Sequence, residues 1–409
     1  MAGQLKVNGV TLATEESGTV TLENPQIKDS SNNLVFDQSG SRPVLKNVDI
    51  KDSSNNVILD QSGTNPVLKN VEVVNNSSMM FRNKIINGDM QIAQRGNSTS
   101  VSASTYAACD RYKFVITNGG TWSISQSTDS PDGFGSSYKI ECTTSKSSLD
   151  SDSRLLIVQS IEGQNLQDLK KGTSSSRSLT LSFYVKTSLA GTYQVNLEDN
   201  DNIRIIGNTY TISSGEVNTW QYKEFTFLGD TTGVLDNDNL DSLALHFVLV
   251  AGSDNSSGSL PTSWKAKSNA DRGAGLTVNL AATVGNTWQI TGVQLEKGTV
   301  ATQFEHRPYG TELALCQRYY EELKLQNLLT HLVSGYSNQL TIYYKVEKRA
   351  TPILNNPVCS NFQPGGSSGT TSAILISKNS ATLNSGSNDT SFQVKFYNSV
   401  LTLTIESEL

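Results

Sequence analysis

The sequence predicts an all-β protein, and three observations lead to that fold class. Ser, Thr, Asn and Gly dominate its 409 residues, and such short polar residues, together with β-branched ones, favour turns and strands over helices. Apolar and polar residues alternate over five to eight positions in many segments, which is the period of a half-buried strand. Clusters of Gly, Asn, Asp and Ser separate these segments, as turns would.

Composition also excludes several functions. The net charge of −6, without a basic run, argues against binding to nucleic acid. No apolar stretch approaches the roughly 20 residues of a membrane-spanning helix, so no membrane insertion is expected. The first residues lack a signal-peptide pattern. The four cysteines are far apart and match no common zinc or disulfide arrangement.

A 23-residue repeat occupies residues 27–72. Its copies, residues 27–49 and 50–72, are identical at 17 of 23 positions, and each holds two short apolar segments bounded by turn residues. One such unit cannot bury its own apolar side chains, and two copies are too few for a free-standing solenoid. We therefore predict that residues 27–82 form a β-shaft wound from three chains. The alternative is a flexible Asn/Ser-rich linker.

Residues 83–309 have the pattern of an antiparallel jelly-roll sandwich. The apolar faces of the predicted strands are Leu179, Leu181, Phe183 and Val185; Tyr193, Val195 and Leu197; Leu243, Leu245, Phe247 and Leu249; Leu276, Val278 and Leu280; and Trp288, Ile290, Val293 and Leu295. A change of register is expected near Gly292 in the last strand. His246 is predicted to be an exposed residue on the opposite face of its strand.

The remaining residues predict one helix and a second β-domain. A linking helix is expected within residues 310–325, because Leu313, Cys316, Tyr320 and Leu323 share one helical face, with Thr311 as N-cap. Residues 326–409 alternate again and predict a C-terminal β-sandwich. Its strands include residues 340–346, 374–376 and a closing hairpin of residues 392–396 with residues 401–405.

Two motifs carry a resemblance to a known family. Residues 83–96 (NKIINGDMQIAQRG), followed by ACDRY at residues 108–112, open the sandwich, and residues 288–323 (WQITGVQLEKGTVATQFEHRPYGTELALCQRYYEEL) close it. This pair resembles the jelly-roll module of bacteriophage tail-fibre and related virion fibre proteins, which is similar to carbohydrate-binding modules. The first residues (GQLKVNGVTLATE) and the segment YYKVEKRATPIL also resemble such fibres.

The resemblance implies a structural protein of the virion, assembled in the host cytoplasm. It implies a homotrimeric tail fibre whose residues 1–26 attach to other virion proteins and whose β-domains adhere to a host cell-surface glycan or receptor. A head-attached or capsid-decorating fibre is the first alternative. A glycan-degrading tailspike is the second, since paired carboxylates hydrolyse glycans. No enzymatic activity is expected, because there are only three histidines and no nucleophile-elbow, zinc-protease or phosphate-loop motif.

Aromatic and acidic residues are the candidates for binding. Glycans stack on exposed aromatic rings, and Trp264 and Tyr336 lie near the polar loops 252–261 and 364–372, where recognition is expected. Trp122 and Trp220 are weaker candidates, and Trp220 is predicted to lie in the core. Asp236, Asp238 and Asp241 form an oxygen-rich cluster suited to calcium, or else a solvated turn. No other cofactor is expected. Glu305 and Arg307 are predicted to be a structural pair.

Overall fold

The structure is a computed structural model. It describes residues 81–326, 338–358 and 400–409 and shorter strands elsewhere, with side chains described at residues 81–323, 343–353, 380 and 404–409. The chain forms two compact units, Met1–Met80 and Phe81–Leu409. The architecture is all-β, with antiparallel sheets, as predicted. The finer division into domains stays a prediction.

The described residues of the N-terminal unit form three small antiparallel sheets. Its strands are β1 (Gly3–Val7), β2 (Val10–Glu16), β3 (Thr19–Leu22), β4 (Gln26–Lys28), β5 (Leu34–Asp37), β6 (Val44–Leu45), β7 (Ile50–Lys51), β8 (Val57–Asp60) and β9 (Val67–Leu68), paired as β1-β2-β3, β4-β5-β6 and β7-β8-β9. Ile27 pairs with Phe36, and Ile50 pairs with Leu59. Both copies of the repeat therefore form the same meander in the same register. The threefold shaft stays a prediction.

A two-sheet sandwich of the jelly-roll type dominates the second unit. Its strands are β10 (Ser98–Val101), β11 (Thr105–Tyr106), β12 (Lys113–Thr117), β13 (Thr121–Ser127), β14 (Ser137–Thr144), β15 (Arg154–Glu162), β16 (Leu179–Thr187), β17 (Gly191–Asp199), β18 (Arg204–Ile212), β19 (Gln221–Phe227), β20 (Asp241–Ala251), β21 (Lys265–Ala266) and β22 (Thr287–Lys297). One sheet has six strands, in the order β10-β13-β14-β22-β16-β19. The other has seven, in the order β11-β12-β15-β20-β17-β18-β21.

The core lies between these two sheets, and the predicted alternation places it correctly. The apolar faces of β16, β17, β20 and β22 are all at most 5% exposed. The strand predicted around Leu276 is wrong. Residues 276–279 are irregular and lead into a short 3₁₀ helix, Leu280–Ala282, whose first turn is capped by the Asn279 side chain. The local hydrogen bond of the Asn279 side chain therefore takes the place of strand pairing in this segment.

The outer face of the seven-stranded sheet is partly covered, which corrects the prediction for His246. This residue is only 8% exposed, and its Nδ1 lies 3.3 Å from a Glu198 carboxylate oxygen. Arg272, from the segment that follows β21, donates to the same carboxylate at 2.7 Å. A segment distant in sequence therefore buries a strand face that alternation assigns to solvent.

The two motifs that open and close the sandwich meet in the structure. The Asn83 side chain donates to the Val293 carbonyl and accepts from the Leu295 amide, both at 3.0 Å. The Glu305 carboxylate accepts from the Asn83 amide at 2.9 Å and pairs with Arg307 at 3.3 Å. The predicted pairing of Glu305 with Arg307 is confirmed, and it joins the two ends of the domain.

The predicted linking helix is too long. Two α-helices are present in the described part of the chain, α1 (Ser253–Ser256) and α2 (Tyr309–Gln317), and α2 begins directly after Pro308 without a side-chain cap from Thr311. From Tyr320 the chain is a strand, because it pairs with a distant C-terminal strand over seven consecutive residues. Neither helix is long and apolar enough to span a bilayer.

The C-terminal strands form small antiparallel sheets. They are β23 (Tyr320–Gln326), β24 (Leu329–Thr330), β25 (Asn338–Tyr343), β26 (Ile353–Val358), β27 (Thr370–Ile376), β28 (Ser380–Gly386), β29 (Val394–Lys395) and β30 (Val400–Glu406), paired as β23-β30-β26, β24-β29 and β25-β28-β27. The predicted closing hairpin is wrong, since β30 pairs with β23 and β26, and β29 pairs with β24. Arg111 of the sandwich forms a buried ion pair with Glu408, just after β30.

Candidate functional site

A row of aromatic rings crosses the outer face of the six-stranded sheet. Along β16, Phe183 and Val185 are fully buried between the sheets, so the alternation turns Tyr184 and Lys186 to the outer face. Tyr184 is directly paired with Tyr222 on the edge strand β19. Two neighbouring strands therefore present tyrosines side by side on the same face.

The rings continue beyond these two strands. The ring centroids of Tyr222 and Tyr184 are 5.2 Å apart, and those of Tyr184 and Phe134 are 5.5 Å apart. Phe134 in turn lies 5.1 Å from Phe304 and 5.3 Å from His306. We call these five residues the aromatic strip. Tyr222 is 45% exposed, His306 is also exposed, and the other three are half-buried.

Gly292 allows the strip to lie against the sheet. Its φ of +63° belongs to the left-handed region, and a Cβ atom at this position would lie 2.8 Å from the Phe134 ring and 3.1 Å from the Tyr184 ring. The register of β16 with β22 shifts at this point, as the sequence predicted. A glycine in a bulge is thus what lets Phe134 cross over the strand.

A polar cluster borders the strip on the same face. Asp129 is its centre, because its carboxylate accepts from Lys186 at 2.8 Å, from the Trp220 indole at 3.1 Å and from Gln289 at 3.3 Å. Lys186 lies two residues beyond Tyr184 on β16. The strip and the polar cluster are therefore adjacent across β19, β16 and β22.

The polar cluster holds an exposed negative charge in place. The hydrogen bond from Lys186 is the largest cause that lowers the pKa of Asp129, and the bond from Trp220 adds to it. The Asp129 side chain is 44% exposed, so its ionised carboxylate can still accept bonds from a ligand. The Tyr222 hydroxyl donates to the Glu224 carboxylate at 2.9 Å, so a second carboxylate lies at the Tyr222 end of the aromatic strip.

This combination is suited to a sugar. The apolar face of a pyranose ring packs against aromatic rings, while its hydroxyl groups need donors and acceptors at the sides. The aromatic strip supplies the rings against which a sugar can pack, and Asp129, Lys186 and Glu224 supply the donors and acceptors for its hydroxyl groups. Apart from Trp220, which it assigned to the core, sequence reasoning missed these residues. The usable signal was an aromatic residue at an outward position of a strand, namely Tyr184 and Tyr222.

Trp264, the first predicted site residue, lies at one end of the sandwich. It is half-buried and packs against the edge of the core, and its indole N–H donates to the Leu228 carbonyl at 2.8 Å. The Lys171 ammonium lies 4.8 Å from its ring centroid, held by Asp230 at 3.0 Å and by Asp199. Trp264 is therefore fixed above a buried charge cluster and is separate from the aromatic strip.

The other aromatic residues that the sequence analysis named lie in different environments. Tyr336 lies outside the described residues. Trp122 is fully buried, whereas Trp220, which was assigned to the core, is half-buried and bonded to Asp129. Of the two predicted recognition loops, 252–261 folds onto the sandwich through α1, with Asn255 only 5% exposed, and residues 364–369 of the other lie outside the described part.

The side chains of two of the three predicted calcium ligands have partners of their own. Asp238 accepts from the Leu240 amide at 2.9 Å, and Asp241 accepts from the Ser160 hydroxyl at 2.9 Å. Asp236 is exposed in the loop before β20. Among the residues that the structure describes, no three His, Cys, Asp or Glu side chains gather in a group that could hold a metal ion. Calcium binding by these residues stays untested.

Comparisons with known proteins give likenesses of fold. No known family profile and no curated protein matches the chain. The enzymatically active domain of tailspike protein 4 from bacteriophage CBA120 is 12% identical over 53% of this chain and 21% of its own, with a TM-score of 0.27. The match thus spans about a fifth of that tailspike chain.

Two sugar-binding proteins are similar at the same level. A putative sugar binding protein from Bacteroides thetaiotaomicron is 14% identical over 53% of this chain and 99% of its own, with a TM-score of 0.28. A family 11 carbohydrate-binding module from Clostridium thermocellum, solved with a mixed-linked tetrasaccharide, is 13% identical over 52% and 98%, with a TM-score of 0.25. Likenesses at these levels carry no argument about function, which has to come from the chain's own residues.

Proposed function

We propose that this protein is a structural fibre of a bacteriophage virion that adheres to a glycan on the host cell surface. The observation that carries the adhesive role is the aromatic strip with its bordering carboxylates and Lys186. Each ring contact is weak, so adhesion gains from several copies of the site on one particle. A homotrimer attached through its N-terminal residues would supply them.

The virion role is supported by the two motifs that resemble phage fibre modules. In the structure these motifs form the frame of the sandwich, since Asn83 from the first bonds to Val293 and Leu295 from the second. The resemblance therefore lies in residues that close the domain. Immunogold electron microscopy of intact particles tests this role, with labelling of a tail appendage expected. Particles that carry no label would contradict it, and a labelled head would favour the decorating fibre.

A panel of bacterial surface polysaccharides tests the adhesive role. The full chain is expected to bind at least one of them, and Tyr184→Ala together with Tyr222→Ala is expected to abolish that binding. Tyr343→Ala is the matched control, because Tyr343 is 76% exposed and lies outside the sandwich. Equal binding by the strip variant and the control, with both folded, would remove the strip from the proposal. Reducing sugar released from the bound polysaccharide would favour a hydrolase.

A further inference from the structure

The Tyr222 end of the aromatic strip combines an open aromatic ring with a carboxylate. Tyr222 is 45% exposed on the edge strand β19, so much of its ring is accessible to a ligand. Its hydroxyl donates to the Glu224 carboxylate at 2.9 Å, two residues further along the same face of the strand. Burial and this hydrogen bond raise the pKa of Tyr222 to about 12, so the hydroxyl keeps its proton and remains the donor.

The charge of Glu224 is not matched by a cation in the described part of the chain. Its carboxylate is exposed, and it takes part in no ion pair there. The lysines close to it are engaged elsewhere. Lys223, the adjacent residue of β19, pairs with Glu216 at 3.9 Å, and Lys186 pairs with Asp129 at 2.8 Å. An ammonium group of a ligand therefore meets no competing partner at Glu224.

The charges along the rest of the strip do not reverse this balance. A tight turn carries Phe134, whose amide donates to the carbonyl three residues earlier at 3.1 Å, and the same turn contains Asp132, an exposed acid without an ion pair in the described residues. Arg307 pairs with two glutamates, at 3.3 Å each. His306, the titratable ring of the strip, is separated from Tyr222 by two other rings.

A buried hydroxyl on the face that the strip covers also lacks a partner. Thr291 on β22 is directly opposite Tyr184 on β16, so both side chains lie on the outer face of the sheet. Thr291 is nevertheless 0% exposed, and its hydroxyl makes no hydrogen bond within the described residues. A buried polar group without a partner is costly. A sugar hydroxyl that reaches between the rings would supply the missing bond.

We propose that the Tyr222 end of the aromatic strip binds a sugar unit that carries an ammonium group, such as a glucosamine whose amine is not acetylated. The apolar face of the sugar packs on Tyr222 and Tyr184, and its ammonium group contacts the Glu224 carboxylate. Aromatic rings attract cations at their faces, and hydrogen bonds between charged groups are the stronger ones. This inference rests on the proposed role in glycan adhesion and names the class of sugar for that same site.

Soluble glucosamine oligomers and their N-acetylated forms of equal length test the proposal. Both are titrated by calorimetry into the full chain at a pH where the amine is protonated. We expect the amine form to bind about tenfold more tightly than the acetylated form. Raising the pH until the amine is neutral should remove this preference. High salt should reduce it, because exposed charges are screened.

A pair of matched variants locates the preference. Glu224→Gln is expected to remove the difference in affinity between the two oligomers. Asp254→Asn is the control, because Asp254 is also exposed, accepts a hydroxyl bond from Ser151 at 2.9 Å and lies in α1, outside the strip. The control is expected to keep the full preference. Thermal unfolding verifies that both variants are folded.

The outcomes separate this inference from the proposed function. The inference is wrong if the folded chain does not prefer the amine form, or if the preference persists in Glu224→Gln. It is also wrong if Asp254→Asn loses the preference to the same extent, since that would indicate general attraction of a cation to a chain of net charge −6. Neutral polysaccharides bound through Tyr184 and Tyr222 would leave the proposed function intact in each case. If no polysaccharide binds the folded chain, both proposals fail.

Discussion

Phe183 illustrates how a single residue is fixed by strand alternation. It is fully buried, and its ring makes edge-on contacts with Tyr210, Phe225 and Phe247 at 5.2–5.9 Å between centroids. Phe183→Ala should lower the free energy of unfolding by about 3–5 kcal/mol, because it leaves a cavity. Chemical denaturation measures this loss. Tyr222→Ala, at an exposed position, is the control, and equal losses in the two variants would contradict the assigned faces.

Glu162 should make stability depend on pH. Burial alone would raise the pKa of this carboxyl, but hydrogen bonds from Arg318 and Tyr319 outweigh it and lower the pKa below the ordinary 4.5. A carboxyl with a lowered pKa stabilises the fold above its unfolded pKa, and this contribution disappears as the pH falls through the folded value. Glu162→Gln should therefore lose less stability than the wild type between pH 6 and pH 3.

Thermal unfolding across that range measures the dependence on pH. Glu162→Gln should be less stable than the wild type at pH 7, and the two melting temperatures should converge in acid. Parallel curves for the two proteins would show that Glu162 does not contribute to acid unfolding. Glu224→Gln is a suitable control, since its carboxylate is exposed and bonded only to Tyr222 in the described part.

Whether a side chain lies in the core could be predicted where its neighbours along the chain determine it. Phe183 and Leu245 were assigned to the core correctly, because alternation is a local property. His246 and Trp220 were assigned wrongly, because Glu198 and Asp129 reach them from other parts of the chain. The period and polarity of a segment predict which face of the strand a side chain lies on, but they do not predict whether a distant segment covers that face.

At the scale of elements, the segment after α2 shows where local pattern fails. Tyr320 and Leu323 fit one face of a helix, yet they belong to β23. The deciding interaction is the pairing with β30, which lies about eighty residues further along the chain. The spacing of apolar residues over three helical turns contains no information about so distant a partner strand. The repeat was easier to predict, because each copy forms its meander from adjacent segments.

A buried ion pair joins β23 to the segment before β26. Lys348 and Glu321 are both fully buried, with the Lys348 ammonium 2.7 Å from the carboxylate. Burial lowers the pKa of Lys348, while the bond to Glu321 opposes that shift. Glu321→Gln should cost about 3–5 kcal/mol of stability, because it leaves a buried charge without its partner.

The control for this pair is a lysine that faces the same carboxylate from solvent. Lys345 lies 3.8 Å from Glu321, and its side chain is 60% exposed. Lys345→Gln should change the free energy of unfolding by less than about 1 kcal/mol, as is usual for exposed pairs. Denaturant titrations compare the two variants. A loss at Lys345 as large as that at Glu321 would contradict the role of burial.

For the whole molecule, the N-terminal repeats should set the oligomeric state. Met1–Met80 and Phe81–Leu409 are separate compact units, and the second has its own core. The full chain should sediment as a homotrimer, whereas residues 81–409 should unfold cooperatively as a monomer. Analytical ultracentrifugation at micromolar concentration measures both. A monomeric full chain would contradict the predicted shaft, and an insoluble chain of residues 81–409 would contradict the division into units.

The fold class could be predicted from the sequence, whereas the candidate site could not. Composition and alternation were enough to predict an all-β sandwich, because the two-residue alternation of a half-buried strand is visible in that strand's own sequence. The aromatic strip joins Phe134, Tyr184, Tyr222, Phe304 and His306 from four separate segments. Their proximity depends on the bulge at Gly292, whose position the sequence predicted, and on the order of the strands in the sheet, which no single stretch of sequence determines.

The central claim is that the aromatic strip binds the glycan. Isothermal titration of one bound polysaccharide into the wild type, Tyr184→Phe and Tyr222→Ala tests it most directly. We expect Tyr222→Ala to bind at least about tenfold more weakly, with an unchanged melting temperature, while Tyr184→Phe keeps its ring and most of the affinity. Wild-type affinity in a folded Tyr222→Ala protein would contradict the claim.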